Sequence, residues 1–398
     1  MTDTSLPIVR LRPKAEARAI RHGFPWVYAD ELVTDRRTMA LAAGTIVMLE
    51  DADRRPLGVA TVNPKSKIIV RVLDRNESAV IDREWLAARL RRALELRERL
   101  YDAPFYRLVH AEADGLPGVV IDRFGDVAVV QPNAAWADNL MDDLCDALVE
   151  VTGVATVIKN GTGRARALEG LSDETVTLIG SVKGPIPVRM NGATYMADVM
   201  GGQKTGLFYD QRENHAFAQR LAKDVRVLDV FSHVGGFALA ALAGGARQAT
   251  AVDASAAALG FAAEGAAASG FSDRFDTVKG DAFAVMEALA EEGRVYDLVV
   301  CDPPAFAPAK PALEAGLRAY ERVAKLAAAL VAPGGYLVLC SCSHAADLTQ
   351  FRNASARGIG RGGRRGQLLH TGHAGPDHPM LSQLAESGYL KAVFFRLD

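Results

Sequence analysis

From about Thr194 onward, short apolar strands recur, each closing on a polar residue: VRVLDVF, QATAVD, DTVKGD, YDLVVCDPP and GGYLVLCSC, with alanine-rich helical stretches between them. Runs of this kind, alternating with helix-period segments, describe strands buried on both faces, which is the pattern of an open, largely parallel sheet flanked by helices. Such a sheet binds its ligands beyond the carboxyl ends of the strands. The chemistry is therefore expected at the residues that end each run.

The first run delivers Asp229 and Phe231, turns on Gly235 and Gly236, and enters a helix at Phe237. A dinucleotide site would need Gly-x-Gly-x-x-Gly so that backbone N–H groups could hold a pyrophosphate, and that spacing is missing. A carboxylate there would repel phosphates but suits a ligand carrying a sulfonium and an ammonium. S-adenosyl-L-methionine meets that description. Asp253 ends the next strand, where two carboxylate oxygens can accept from ribose hydroxyls, and Asp281 ends another, where an acceptor can receive the adenine amino group while Ala282 and Phe283 line the ring. One aspartate at a strand end is more often a helix N-cap than a ligand contact, but three in succession beside a double glycine point to the ligand.

In DPPAF, the prolines at 303 and 304 remove backbone donors after Asp302, so carbonyls are left available to an amine. A planar base with an exocyclic amino group fits, and Phe306 is placed to stack on it. The alternative is a rigid turn that touches no substrate. Two of the chain's four cysteines, Cys340 and Cys342, follow on the next strand, where alternation puts them and His344 on one face. Metal ligands, inert core thiols and a nucleophile are the competing readings; a clear fourth ligand is missing, and burial is credible for Cys340. For Cys342, at the open strand end, a chemical motive exists. Carbon 5 of a pyrimidine is a poor nucleophile until a thiolate adds to carbon 6 and makes the ring an enamine. Amine or ring-nitrogen methylation needs no such adduct.

The preceding residues read differently. Residues 1–76 hold GTIVMLED, LGVATVN and SKIIVRVLD, short strands broken by Gly, Pro and Asn, as in a small barrel or sandwich. Arg10, Arg12, Lys14, Arg18 and Arg21 crowd its start, either as a phosphate-binding surface or as an ordinary solvated one. Residues 77–190 give a connecting helix (DREWLAARLRRALELRERL) and a small α+β unit, and 191–398 the α/β domain. At 398 residues with 49% hydrophobic and 24% charged composition, several domains and ordinary globular character are expected. No apolar run is long enough for a membrane span, and MTDTSLPIVR is too polar for a signal peptide, so a cytoplasmic protein with reduced thiols is expected.

Taken together, RHGFPWVYADEL, RLVHAEADGLPGVVIDRFGD, GGQKTGLFYDQRENH, DVFSHVGGF, DPPAF, CSCSH and DHPMLSQLAESGYLK occur in an order that resembles the bacterial class I ribosomal RNA methyltransferases with an N-terminal PUA-like domain, which form 5-methylcytosine in large-subunit RNA. The resemblance covers nearly the whole chain. It implies a PUA-like β-barrel, a small α+β central domain and a Rossmann-like methyltransferase domain. It also implies that Gln203 to Arg212, with Phe208, Gln211 and Arg212, help enclose the cofactor, and that Cys342 stands where the family's carbon 5 nucleophile stands. Large-subunit ribosomal RNA would be the partner, with phosphate contacts from Arg12, Arg18 and Arg21, and a homodimer is left open.

Three departures stand out. Gly265 and Ser269 occupy positions where the family usually has asparagine, which predicts a looser helix. The stretch FRNASARGIGRGGRRGQLLHTGHAGP replaces what is normally a helix with a glycine-broken run containing five arginines, read as phosphate-binding or mobile. His370, His373 and His378 are too irregularly spaced to be read as a metal site. A guanine-N7 or exocyclic-amine methyltransferase without covalent catalysis is the runner-up, and an RNA-binding factor without activity the third reading.

Overall fold

Strands open the chain because its β-branched runs are cut every few residues by turn-forming residues. β1 (Ile8–Arg10), β2 (Trp26–Tyr28), β3 (Thr45–Glu50), β4 (Pro56–Val62) and β5 (Ile68–Asp74) form one sheet in the order β1-β3-β4-β5-β2. The β1–β3 pair is parallel and the other pairs antiparallel. Just past the two edge strands Leu11 bridges Leu32, and the Arg12 N–H donates to the Glu31 carbonyl at 2.8 Å, so the edges meet and the sheet curls round Val9, Val27, Val47, Ala60 and Ile69. Two short helices, α1 (Ala17–Arg21) and α2 (Arg36–Met39), complete this part. The computed structural model describes residues 6–201, 206–384 and 388–398, in two compact units, and this barrel belongs to the first, Met1–Gly184 with Val199–Thr205 and Pro376–Ala385.

The same unit continues into α3 (Arg83–Leu100), started by the Asp82 side chain, which accepts the Trp85 N–H at 2.9 Å. Its buried face, Leu86, Leu90, Ala93 and Arg97, packs with a second sheet of β6 (Phe105–His110), β7 (Val119–Phe124), β8 (Val127–Pro132), β9 (Thr156–Asn160) and β10 (Thr175–Ile179), in consecutive order. Only β8–β9 is parallel; α4 (Ala135–Asn139) and α5 (Met141–Thr152) make that crossover, and α6 (Arg164–Glu169) leads to β10. Arg97 is fully buried and grips both oxygens of Asp114 at 2.6 and 2.8 Å. Asp377 and His378, on the returning segment, join this network: Asp377 accepts the Arg107 N–H at 3.0 Å and pairs with His378 Nδ1 at 2.9 Å.

The second unit begins with the hairpin β11 (Ile186–Met190) and β12 (Ala193–Ala197) and continues through α7 (Arg212–Arg220) into alternating elements: β13 (Arg226–Val230), α8 (Gly236–Ala243), β14 (Gln248–Asp253), α9 (Ala256–Ala268), β15 (Phe275–Lys279), α10 (Ala282–Glu291), β16 (Tyr296–Cys301), α11 (Leu313–Ala329), β17 (Val331–Ser341), α12 (Leu348–Arg361), β18 (Gly366–Gly372) and β19 (Lys391–Leu397). The sheet runs β15-β14-β13-β16-β17-β19-β18, parallel from β15 to β17, with β19 antiparallel to both its neighbours. The strand order reverses at β13, and that is where such sheets bind. No helix among the described residues is long and apolar enough to cross a membrane.

Two expectations are corrected here. The glycine-broken arginine run is mostly regular structure: α12 starts with a capping box between Asp347 and Gln350 and reaches Arg361, and β18 follows. A Cβ on Gly358 would stand 2.3 Å from the Glu321 carbonyl of α11, so that glycine permits a close helix crossing rather than breaking a helix. Four of its five arginines are engaged within the protein: Arg357 bonds Glu321 at 3.0 Å, Arg361 pairs with the same carboxylate, Arg352 donates to Thr371, and Arg364 donates to the Val331 carbonyl at 2.7 Å. Likewise Gly265 does not loosen α9. A Cβ there would meet the Thr194 carbonyl at 2.8 Å, and Ser269 Oγ accepts the Thr194 N–H at 2.8 Å, so both residues seat α9 on β12.

Candidate active site

β13 is apolar throughout its buried length, and the one charge it carries inward is Asp229, 1% exposed. Its Oδ2 accepts the Ala238 N–H at 2.9 Å, so it caps the start of α8, with the Phe237 N–H nearby; its Oδ1 has no hydrogen-bond partner among the described residues. Burial pushes this carboxyl up to about 8, Asp302 and Asp253 add repulsion, and the Ala238 and Phe237 N–H groups oppose the rise. A buried acid with a spare oxygen beside two other acids is a receptor for a cation. The helix-cap and ligand readings are therefore compatible at this position.

The loop after Asp229 holds an unusual backbone. Phe231 (φ 64) and His233 (φ 50) both adopt the left-handed conformation, as does Gly235 (φ 80). For non-glycine residues this costs of order 1–3 kcal/mol each. The loop is fixed in place by Ser232 N–H to the Val252 carbonyl (3.0 Å), His233 N–H to Asp253 Oδ2 (2.9 Å) and Gly235 N–H to the Ser232 carbonyl (2.8 Å). Gly236 has no room for a side chain because His215 of α7 lies 2.8 Å from where its Cβ would be. The Phe237 ring is buried edge-on to His215 at 4.4 Å, which leaves its backbone facing Asp229.

Asp253 is half-buried, and its other oxygen accepts the Ser255 N–H at 2.8 Å. Asp281 is exposed and caps α10 by accepting the Ala284 N–H at 3.0 Å, with Ala282 buried behind it. Phe231, Phe283 and Phe306 form a cluster, with centroids 6.3 Å apart for Phe231–Phe283 and for Phe283–Phe306. The half-buried Phe306 also leans on Tyr320 at 5.0 Å, so its ring belongs to the aromatic wall of the sheet's carboxyl end.

Asp302, directly after β16, accepts the Gln211 Nε2–H at 2.9 Å, and Gln211 in turn accepts from Asn214 at 2.6 Å. Gln211 and Arg212 are buried, the Arg212 guanidinium 5.8 Å from the Tyr209 ring centre, and Phe208 meets the His233 ring edge-on at 5.0 Å. This segment thus closes over the β13 loop and the Asp302 end together. Pro303 is buried and Pro304 exposed. Gln203, Lys204 and Thr205, named with this segment above, lie outside the described residues.

Cys301 on β16 is level with Leu339 on β17, the last pair in their register; Cys340 follows within β17, and Cys342 lies just past its end at Ser341. The two thiols differ sharply. Cys340 is 1% exposed within reach of the Gln211 side chain, and burial pushes its thiol well above the usual range. Cys342 is half-buried at the open end. The intervening serines face α11: Ser341 Oγ donates to Tyr320 Oη at 2.9 Å, and the Ser343 and Tyr320 hydroxyls are 2.7 Å apart. Across the strand, the Lys391 ammonium of β19 donates to the Ser343 and Ala346 carbonyls at 2.7 and 2.8 Å. Tyr320 and Lys391 escaped sequence reasoning because neither is near Cys342 in sequence, and only strand order and the α11 crossing bring them there.

On the first unit, Arg12 is exposed, but its Nε donates to the Leu32 carbonyl at 2.8 Å, and Arg21 pairs with Asp51. Arg18 is exposed in the last turn of α1 and makes no ion pair among the described residues.

Comparison with known proteins agrees with this geometry. Residues 9–75 match the PUA-like domain family and residues 161–396 the S-adenosylmethionine-dependent methyltransferase family. A ribosomal RNA large subunit methyltransferase of Deinococcus radiodurans is 36% identical over 99% of both chains, and a ribosomal RNA large subunit methyltransferase I of Klebsiella pneumoniae 32% identical over 100% of both. A Streptococcus mutans structure described as a SAM-dependent methyltransferase shares the fold, with a TM-score of 0.81 at 18% identity, covering 98% of this chain and 100% of the other. The orphaned Asp229 oxygen and the acids at successive strand ends fit the cationic donor that such enzymes use. The chain belongs to the class I S-adenosylmethionine-dependent methyltransferases with an N-terminal PUA-like domain, the family whose curated members are named ribosomal RNA large subunit methyltransferases.

Proposed function

We propose that this methyltransferase acts on large-subunit ribosomal RNA and forms 5-methylcytosine through a covalent adduct between Cys342 and carbon 6 of the base. The substrate follows the names of the relatives that match end to end. One observation carries the mechanism: of the two neighbouring thiols, Cys340 is sealed in the core while Cys342 is half-buried just past the end of β17, beside Ser343, whose hydroxyl accepts the Ala307 N–H of the loop after Asp302.

Bound S-adenosylmethionine supplies an electrophilic methyl group on a sulfonium. Asp229 would hold its ammonium, Asp253 its ribose, and Asp281 with Ala282 and Phe283 its adenine. Gln211, Arg212 and Phe208 would cover it, beside Phe231, Gly235, Gly236 and the Phe237 backbone. On the substrate side, Asp302 and the Pro303 carbonyl would accept from the cytosine amino group, and Phe306 would border the ring. The Cys342 thiolate adds to carbon 6, carbon 5 takes the methyl, a base removes the carbon 5 proton, and the sulfur leaves with its electron pair as the double bond re-forms. Arg18, with Arg12 and Arg21 beside it, would meet RNA phosphates.

Incubation of unmodified large-subunit RNA with methyl-labelled S-adenosylmethionine, followed by digestion to nucleosides, tests the reading. Label in 5-methylcytidine is the expected product. Label in 7-methylguanosine or an N-methylated base would replace the covalent mechanism, and no label would leave a binding protein.

A further inference from the structure

Among the described residues Lys391 is the one buried lysine, and it lies at the end of the sheet where Cys342 stands. It begins β19, antiparallel to β17, with its Cα opposite that of Ser341, and its ammonium is enclosed and bonded to the Ser343 and Ala346 carbonyls. Both carbonyls belong to the segment that turns away immediately after Cys342. A buried ammonium usually has an anion for company, and a neutral side chain of similar length would fill the same space without the desolvation penalty. Two carbonyls take two of its three protons, and no carboxylate bonds it among the described residues.

The charged and titratable groups around Cys342 come from several elements. Lys391 of β19 bonds the Ser343 carbonyl and the Tyr320 hydroxyl of α11 lies against Ser341 and Ser343, on either side of Cys342, and both feel its sulfur; Asp347, at the head of α12, acts on Lys391, and Asp302, just after β16, acts on Cys340. Tyr320 is neutral at physiological pH, since burial raises its hydroxyl further above its ordinary value. Burial works against the Lys391 charge, while the Cys342 sulfur and the Asp347 carboxylate support it. Lys391 thus places a positive charge on the carbonyl of Ser343, the residue that follows a sulfur that must become negative.

We propose that Lys391 is a positioning residue that holds a fixed positive charge beside Cys342 and keeps its sulfur in the nucleophilic form, while its two carbonyl bonds set the turn that presents the sulfur to the base. This rests on the reading of Cys342 as the nucleophile. A cationic neighbour is an ordinary means of activating a thiol.

The test reads the thiol without RNA or donor. The intact protein is alkylated with iodoacetamide across a pH series, and mass spectrometry with fragmentation follows the label at Cys342. The wild-type midpoint is expected below the free-cysteine value of about 8.5. Lys391→Met should raise it by about one unit, and Lys391→Arg should keep it low; the pH optimum of methyl transfer should move with it, which a merely structural role would not cause. A wild-type midpoint at or above that of free cysteine, or an unchanged midpoint in folded K391M, overturns the proposal; the wild-type arm decides the matter even should K391M fail to fold. Failure of the covalent reading shows elsewhere, as full methyl transfer by Cys342→Ala, so the two are separable.

Discussion

The Ser343 hydroxyl accepts the Ala307 backbone N–H at 2.9 Å. With Tyr320 bonded to Ser341 and adjacent to Ser343, this joins the proline turn after Asp302 to the segment bearing Cys342. The turn proposed to recognise the base and the segment of the proposed nucleophile are thereby built on one buried network, and a shift of about 1 Å at such a junction can lower a rate roughly a hundredfold. Ser343→Ala leaves the Ala307 N–H buried without its acceptor, a loss of about 1–3 kcal/mol. We expect lower stability in urea unfolding and a fall in kcat of about tenfold or more, with donor affinity within about twofold. An unchanged kcat in this variant would mean that the two segments hold their places independently.

Asp229 predicts a pH signature for donor binding. Its carboxyl, displaced from 3.8 to about 8, is largely protonated at pH 7, whereas a bound cation favours the carboxylate. Donor binding below pH 8 should therefore release a proton, and affinity should rise with pH until about 8 and then level. Calorimetry in buffers of different ionisation enthalpy measures the proton directly. Asp229→Asn should bind roughly tenfold or more weakly and lose this pH dependence. In the ligand-free protein the sign reverses: a folded-state carboxyl titrating above its unfolded value loses stability as pH climbs from about 4 to 8, so the asparagine variant should be the more stable at pH 8.

Restoring the family's usual residue at position 265 should harm this protein. An asparagine Cβ would press on the Thr194 carbonyl at 2.8 Å and on Leu239 at 3.0 Å. Gly265→Asn is expected to destabilise by about 1–3 kcal/mol, read by thermal or denaturant unfolding. A neutral or stabilising result would show that α9 and β12 can separate freely.

The proposed RNA contact through α1 makes a salt-dependent prediction. Among the described residues Arg18 makes no ion pair, while Arg12 and Arg21 hold the Leu32 carbonyl and Asp51. Arg18→Ser should weaken RNA binding and reduce the slope of log affinity against log salt by about one. An identical slope would remove α1 from the interface.

Much of the site was legible because strands buried on both faces announce themselves as apolar runs, and what ends them is conspicuous. In the structure Asp253 ends β14, Asp229 is the next-to-last residue of β13, Asp302 directly follows β16, and Asp281 lies two residues past β15 as the cap of α10. What could not be read was tertiary. Gly358 looks like a helix breaker until the close crossing of α11 is known, and the arginines near it look like phosphate ligands until Glu321 is found beneath them. Gly265 looks like a loosened helix until β12 is placed against it. Tyr320 and Lys391 lie far in sequence from the cysteines they surround, and nothing local marks them. The strained conformations of Phe231 and His233 likewise have no signature in a loop that already contains two glycines.

The most direct test of the account uses RNA bearing 5-fluorocytosine, whose carbon 5 fluorine cannot be removed as a proton, so that a thiol bound at carbon 6 stays attached. With S-adenosylmethionine present, the wild-type enzyme is predicted to form a denaturation-resistant protein–RNA species whose attachment maps to Cys342, and Cys342→Ala is predicted to form none. Full methylating activity in the alanine variant, or an adduct that maps to another residue, would contradict the assignment of Cys342 as the nucleophile.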